Sequence, residues 1–181
     1  MHKDLQSVLY SEAQIKDRVR ALGEQISKDY AGEQVMLVCI LKGAVVFFSD
    51  LARAITGDVR MDFMAISSYG ASTKTTGVVQ ILKDLSTDIT GMNVIIVEDI
   101  IDSGMSLHFL SEILVTRGAK TLEICTLLDK PSRRRTYVPV KYSGFEIPDE
   151  FVVGYGLDYA EKYRELPEIG ILKPCVYGGE E

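Results

Sequence analysis

Residues 93–107, NVIIVEDIIDSGMSL, constrain the fold more than any other part of the chain. Val94, Ile95, Ile96 and Val97 form an unbroken apolar run, the pattern of a strand buried on both faces rather than one. Glu98 and Asp99 follow at once and Asp102 three residues later. The small residues Ser103, Gly104 and Ser106 then lead into the helical spacing of Leu107, Leu110, Ile113 and Leu114. A strand–loop–helix junction of this kind aims backbone N–H groups and a helix N-terminus at one point, which suits a phosphate. Acids beside such a cradle require a different occupant, either hydroxyls or a divalent cation. A sugar phosphate that also carries a metal-bound diphosphate meets both demands.

The same alternation extends along the chain. Ser11 and Gln14 form a capping box, with Tyr10 and Ile15 spaced as a hydrophobic staple. Ile15, Val19, Leu22 and Ile26 mark one apolar helical face. Val35–Leu41 is a second doubly buried strand, broken by Lys42-Gly43 before a helix over Ala44–Ile55. Met61–Ile66 and Val78–Leu82 read as strands separated by a small, hydroxylic, mobile loop over Ser67–Gly77. The helix after residue 104 ends near Gly118, and Thr121–Leu128 is the next strand. This order predicts an α/β fold whose parallel-sheet core is flanked by helices. Residues 1–181 read as a single domain. Its residues 130–181, with short strands and turns, join the N-terminal segment as a small hood lobe over the sheet's C-terminal edge, where ligands of open α/β sheets bind.

Composition narrows the function classes. Apolar residues make up 46% and charged residues 25%, as in an ordinary globule. A net charge of −6 argues against nucleic acid as the main partner. No apolar signal core opens the chain and no run reaches membrane-spanning length, so no membrane role is expected. Cys39 and Cys125 lie in apolar strand-like runs, where reduced buried thiols are usual, and Cys175 stands apart. No disulfide framework follows, and the cytoplasm is the expected compartment. No Walker motif or G-x-G-x-x-G follows a strand, which leaves triphosphate and dinucleotide sites unsupported.

What segment 93–107 does resemble is the phosphoribosyl pyrophosphate signature of the type I phosphoribosyltransferases: apolar strand, two acids, two apolar residues, then Asp-Ser/Thr-Gly and a hydroxyl. Further segments resemble the hypoxanthine-guanine phosphoribosyltransferases of bacterial type. These are Leu41-Lys42-Gly43, Ser68-Tyr69, Leu127-Leu128-Asp129-Lys130, and above all the run Gly144–Arg164, GFEIPDEFVVGYGLDYAEKYR. The resemblance implies purine salvage, in which the 5-phosphoribosyl group passes from phosphoribosyl pyrophosphate to hypoxanthine or guanine with release of diphosphate and with Mg²⁺ as cofactor.

It also implies roles for particular residues. Glu98 and Asp99 would meet the ribose hydroxyls, directly or through water on Mg²⁺. The loop Asp102, Ser103, Gly104, Met105, Ser106 and Leu107 would hold the 5′-phosphate, through backbone and hydroxyls alone because Met105 offers no charge. Asp102 would act as general base at the purine N7. Lys42, Gly43 and Arg164 would bind diphosphate, with a cis peptide just before Lys42. Lys130 would donate to the 6-oxo group, Phe151 would stack on the purine, Val152 would contact its edge by backbone, and Asp158 would complete this segment as the direct Mg²⁺ ligand. Ser68 and Tyr69 would begin a loop that closes over the reaction. His108 is expected on an exposed helix face, and Arg133–Arg135 in a solvated loop or subunit contact. The implied assembly is a homodimer or homotetramer.

Three alternatives share the phosphate loop. A xanthine- or adenine-preferring relative is opposed, for adenine, by Lys130 and the Phe151 segment. A donor-sensing regulator needs a DNA-binding domain or a broad basic face. A sugar-phosphate binding module has no use for Asp102, Lys130 and Asp158 together.

Overall fold

The computed structural model describes residues 1–68 and 79–178. Strand β1 (Leu5–Tyr10) precedes helix α1 (Glu12–Asp29), whose capping box is present: the Ser11 side chain accepts from the Gln14 N–H, and the Gln14 side chain accepts from the Ser11 N–H. Such a cap contributes about 1 kcal/mol. Ile15, Val19, Leu22 and Ile26 are buried as one face, each worth roughly 1.5–3 kcal/mol of apolar transfer.

Strand β2 (Gln34–Leu41) leads through Lys42 and Gly43 into α2 (Val45–Ala54). The Leu41–Lys42 peptide is cis. Then come β3 (Asp58–Ser68), β4 (Val79–Lys83), β5 (Asn93–Ile101), α3 (Met105–Thr116) and β6 (Thr121–Asp129). A 3-10 turn over Pro131–Arg133 precedes β7 (Tyr142–Glu146), β8 (Val152–Val153), β9 (Ile169–Leu172) and the short α4 (Pro174–Tyr177).

Six strands form the main sheet in the order β4-β3-β2-β5-β6-β7, and only β4 runs antiparallel to its neighbour. Two buried clusters cover its faces. One gathers α1, α2 and β2 around Phe47, Leu51 and Ile95, the other α3 around Met36, Ile96 and Leu110. A second sheet, β1-β9-β8, joins the first strand to residues 152–172.

The elements run longer than their apolar cores suggest. β5 continues past Val97 to Ile101, so Glu98 and Asp99 lie inside a strand rather than beyond it. The cause is the register. β5 pairs with β2 only from Asn93 to Val97, but with β6 up to Ile101. The two central strands therefore part company at Glu98. Strand order reverses direction between them, and the crevice this opens is the usual ligand position of open α/β sheets.

Candidate active site

That crevice is a cavity of about 330 Å³ lined by Lys42 and Gly43 after β2, Glu98 and Asp99 within β5, Asp102, Ser103, Gly104, Ser106 and Leu107 at the start of α3, and Asp158 and Arg164 from the segment after β8. Three chain segments far apart in sequence thus line one cavity, within residues 98–107, 42–43 and 158–164. A larger cavity of about 620 Å³ between α1, α2 and residues 164–167 shares only Arg164 with it. The smaller one gathers the carboxylates and the helix N-terminus.

Asp99 is buried, and its Oδ1 accepts the Ile100 N–H at 2.8 Å. Burial and the adjoining Asp99 carboxylate push Glu98 well above the ordinary carboxylate range. Burial raises Asp99 too, opposed by hydrogen bonds from Glu98 and from backbone N–H groups and by the Arg164 charge. Glu98 therefore gives up its proton at higher pH in the folded chain than in the unfolded one, so stability falls as pH rises above the ordinary carboxylate range and through the raised folded value. Glu98→Gln keeps the shape and removes that slope. Its melting temperature at pH 8 is expected to exceed wild type by about 2–4 °C, on the scale of 1 kcal/mol for a domain this size, with the gap closing as pH falls. A difference that does not change with pH contradicts this account.

The loop after β5 is built for an anion. Gly104 is the N-cap of α3 at φ +81°, and no side chain caps the helix. The N–H groups of the first turn, from Met105 to Leu107, have no acceptors within their own helix. The Ser103 hydroxyl accepts from the Met105 N–H at 3.4 Å; the Met105 side chain is exposed and lies off the cavity wall. A Cβ on Gly104 would lie 2.6 Å from the Thr136 carbonyl oxygen and 3.0 Å from Arg134 Cδ. The loop is that tightly braced from behind: the N–H groups of Arg135 and Thr136 donate to the Ser103 carbonyl at 2.9 and 3.0 Å.

Asp102 does not cap the helix, which removes the purely structural explanation for it. Its Oδ1 is buried in the cavity wall and makes no hydrogen bond among the described residues. Arg164 Nε is likewise buried without a partner, while its two other nitrogens bind the Gly156 carbonyl at 2.7 Å and Asp158 at 2.9 Å. Asp102 and Arg164 both line the cavity. Lys42 Nζ pairs with Glu161 at 3.0 Å, so what Lys42 and Gly43 offer the cavity is backbone.

The purine-side residues stand beside this cavity rather than on its wall. The Lys130 N–H donates to the Ile101 carbonyl at 3.0 Å, one strand across from Asp102. Lys130 is buried, and its Nζ donates to the Glu150 carbonyl at 2.6 Å. Val152 is buried in β8, paired with Ile171. Phe151 is 36% exposed, stacked on Tyr177 at 4.8 Å and edge-on to Tyr159. Ser68 ends β3, and Tyr69 lies outside the described residues. His108 is on the exposed face of α3, as expected.

No three His, Cys, Asp or Glu side chains form a cation cage among the described residues. Asp158, Glu98 and Asp99 line the same cavity, with Asp158 Oδ1 on Arg164 and its Oδ2 accepting the Glu161 N–H at 2.9 Å; Mg²⁺ takes one or two carboxylates and completes its shell with water and substrate phosphates. The sequence reading missed Arg134, which pairs with Asp129 and donates to the Asp102 carbonyl at 3.2 Å. It is mostly buried as a brace of the phosphate loop, not solvated. No local pattern marks it, since its partners come from two strand ends.

Comparison with known proteins places the chain in a family. Residues 6–160 match the family model of the phosphoribosyl transferase domain. The hypoxanthine-guanine phosphoribosyltransferase of Mycobacterium bovis is 52% identical over 180 residues, covering 96% of this chain and 89% of the relative. That of Bacillus subtilis is 49% identical, covering 98% of each chain. The crystal structure of a hypoxanthine phosphoribosyltransferase from Staphylococcus aureus superposes with a TM-score of 0.95 at 50% identity, covering 99% of this chain and 97% of that one. No helix among the described residues is long and apolar enough to cross a membrane. On its fold, its cavity and these relatives, the chain belongs to the phosphoribosyltransferase family, in the hypoxanthine-guanine branch.

Proposed function

We propose that this chain is a purine salvage enzyme that transfers the 5-phosphoribosyl group of phosphoribosyl pyrophosphate to hypoxanthine or guanine. The observation that carries the reading is the meeting of a helix start without a side-chain cap, the acids Glu98 and Asp99, Asp102 and Arg164 around one cavity. The purine N9 attacks the anomeric carbon, the bond from that carbon to diphosphate breaks with its electron pair leaving on oxygen, and the purine N7 proton passes to the Asp102 carboxylate. The Asp102 charge also opposes the positive charge that develops on the ribose. The α3 N-terminus with Ser103 and Ser106 holds the 5′-phosphate, and Glu98 and Asp99 accept from the ribose hydroxyls. Arg164 and the Lys42-Gly43 backbone hold diphosphate. Asp158, with Glu98 and Asp99 nearby, would hold Mg²⁺, which would supply positive charge to neutralise the departing diphosphate.

Lys130 gives selectivity. An ammonium asks for an acceptor at the purine 6-position and rejects an amino group, because mismatched buried polar groups discriminate strongly. Phe151 supplies a stacking face and Val152 backbone contacts. Ser68 and Tyr69 start the loop that covers the reaction, and the small β1-β9-β8 sheet is the hood under which the purine enters. A homodimer or homotetramer is the proposed assembly. A cytoplasmic setting is supported by Cys39 and Cys125, which are buried free thiols; burial pushes Cys39 up to about 12.

The test is diphosphate release with hypoxanthine, guanine, xanthine, adenine and uracil, each with and without Mg²⁺. Turnover is expected with hypoxanthine and guanine, absent with adenine and uracil, and lost when the metal is chelated. No turnover with any 6-oxopurine sinks the proposal.

A further inference from the structure

Arg133 has no place in the chemistry above, yet it stands against the residue that matters most to it. It closes the 3-10 turn after Lys130, its N–H donating to the Lys130 carbonyl at 3.1 Å. Its Nε is 2.7 Å from Asp149 Oδ1, and its Nη1 is 3.7 Å from Asp102 Oδ2. The same Asp149 oxygen lies 3.8 Å from Lys130 Nζ. Charges thus alternate along one chain of contacts, from Asp102 through Arg133 and Asp149 to Lys130.

The two oxygens of Asp102 are thereby made unequal. Oδ2 faces Arg133 on a side chain 45% exposed, while Oδ1 is closed to solvent and unbonded among the described residues. A carboxylate at a loop start turns about its last torsion with little resistance, so its oxygens exchange places unless a partner holds one. We infer that Arg133 is a positioning residue that holds Asp102 Oδ2 and so fixes the orientation in which the carboxylate meets the purine proton. This rests on the reading of Asp102 as the base. Asp149 fixes the guanidinium in turn, and a planar guanidinium held at Nε presents its Nη atoms in a set direction. Arg134 cannot substitute: it reaches only the Asp102 backbone carbonyl and positions the loop, not the carboxylate. The remaining charged groups on the cavity wall are Lys42, Glu98, Asp99, Asp158 and Arg164. Lys42 is paired with Glu161, and Arg164 with Asp158, so neither is free to take over.

Steady-state kinetics on Arg133→Ala and Arg133→Lys, each with Asp102 and with Asp102→Asn, test this. With Asp102 present, Arg133→Ala is expected to lower kcat about tenfold, a fraction of what misplacing a reacting group costs, with KM for phosphoribosyl pyrophosphate within about twofold. Arg133→Lys keeps a cation there and should recover most of the loss, which separates the role from a folding defect. On Asp102→Asn, the further loss from Arg133→Ala should be less than about twofold, because residues that act as a unit are not additive. Unchanged kcat, failure of Lys to recover it, or the same fold loss on both backgrounds overturns the inference. Near-wild-type turnover by Asp102→Asn alone removes the base reading instead, and an inactive Asp102→Asn beside a fully active Arg133→Ala removes only the role of Arg133.

Discussion

Replacing Asp102 by Asn is expected to reduce kcat with hypoxanthine by about 10²–10⁴-fold, the usual contribution of a positioned general base, and to leave the fold intact. The two halves of that expectation have separate structural grounds. The amide is isosteric with the carboxylate, and the carboxylate supports little structure: α3 starts at Gly104 without a side-chain cap. Its one ion pair, with Arg133 at 3.7 Å, joins side chains about half exposed to solvent. Such pairs are worth about 0–1 kcal/mol before screening, so the melting temperature should move by only a few degrees. The chemical half rests on the Asp102 carboxylate, which lines the cavity beside the phosphate loop. An asparagine there can neither take a proton nor oppose the positive ribose. KM for phosphoribosyl pyrophosphate should change little, since the phosphate loop is held by other groups. Turnover within tenfold of wild type would mean that the proton leaves by another route.

Much of this site could be read along the chain because its parts are local. Acid pair, turn glycine and helix start occupy consecutive positions, and each has a composition that few other structures require. The parallel core was legible for the same reason: doubly buried strands such as Val35–Leu41 carry unbroken apolar runs. What escaped depends on partners far away. β1 has the weakly patterned sequence LQSVLY and is a strand because β9, more than 150 residues later, pairs with it. β7 becomes the edge of the main sheet by pairing with β6. Glu98 and Asp99 fall inside β5 because β6 continues alongside after β2 has turned away. The arginines 133–135 looked alike, yet one faces Asp102, one braces the phosphate loop, and the third is tied by its backbone to Ser103. Composition cannot separate such roles; only the positions of Asp102, Asp129 and Asp149 do.

The second large effect is expected at Gly43, where a methyl group has no room. A Cβ built there lies 1.7 Å from Asp99 Oδ2 and 2.8 Å from its Cγ. The opposite side is no looser, since a Cβ on Gly156 would sit 2.1 Å from the Gly43 carbonyl oxygen. Backbone after β2, a buried acid of β5 and the loop leading to Asp158 therefore touch with nothing between them. Gly43→Ala must drive the Asp99 carboxylate from its place. That disturbs its hydrogen bond with the Ile100 N–H, the acid pair with Glu98 and the backbone offered to diphosphate. Overpacking of this kind costs about 1–3 kcal/mol of stability, and displacing a binding group by an ångström costs about 10²-fold in rate. Gly43→Ala is thus expected to lower kcat/KM for phosphoribosyl pyrophosphate about 100-fold. Gly32→Ala, where no atom lies within 4 Å of the added methyl although φ is +80°, is the control: it should lose about 1 kcal/mol and no activity. The double variant Gly43→Ala with Asp99→Ala tells crowding from chemistry. Removing the carboxylate removes the clash, so stability should return toward wild type, while affinity for the ribosyl donor should not. If Gly43→Ala alone retains full kcat/KM, the contact between Gly43 and Asp99 is not what shapes the donor site.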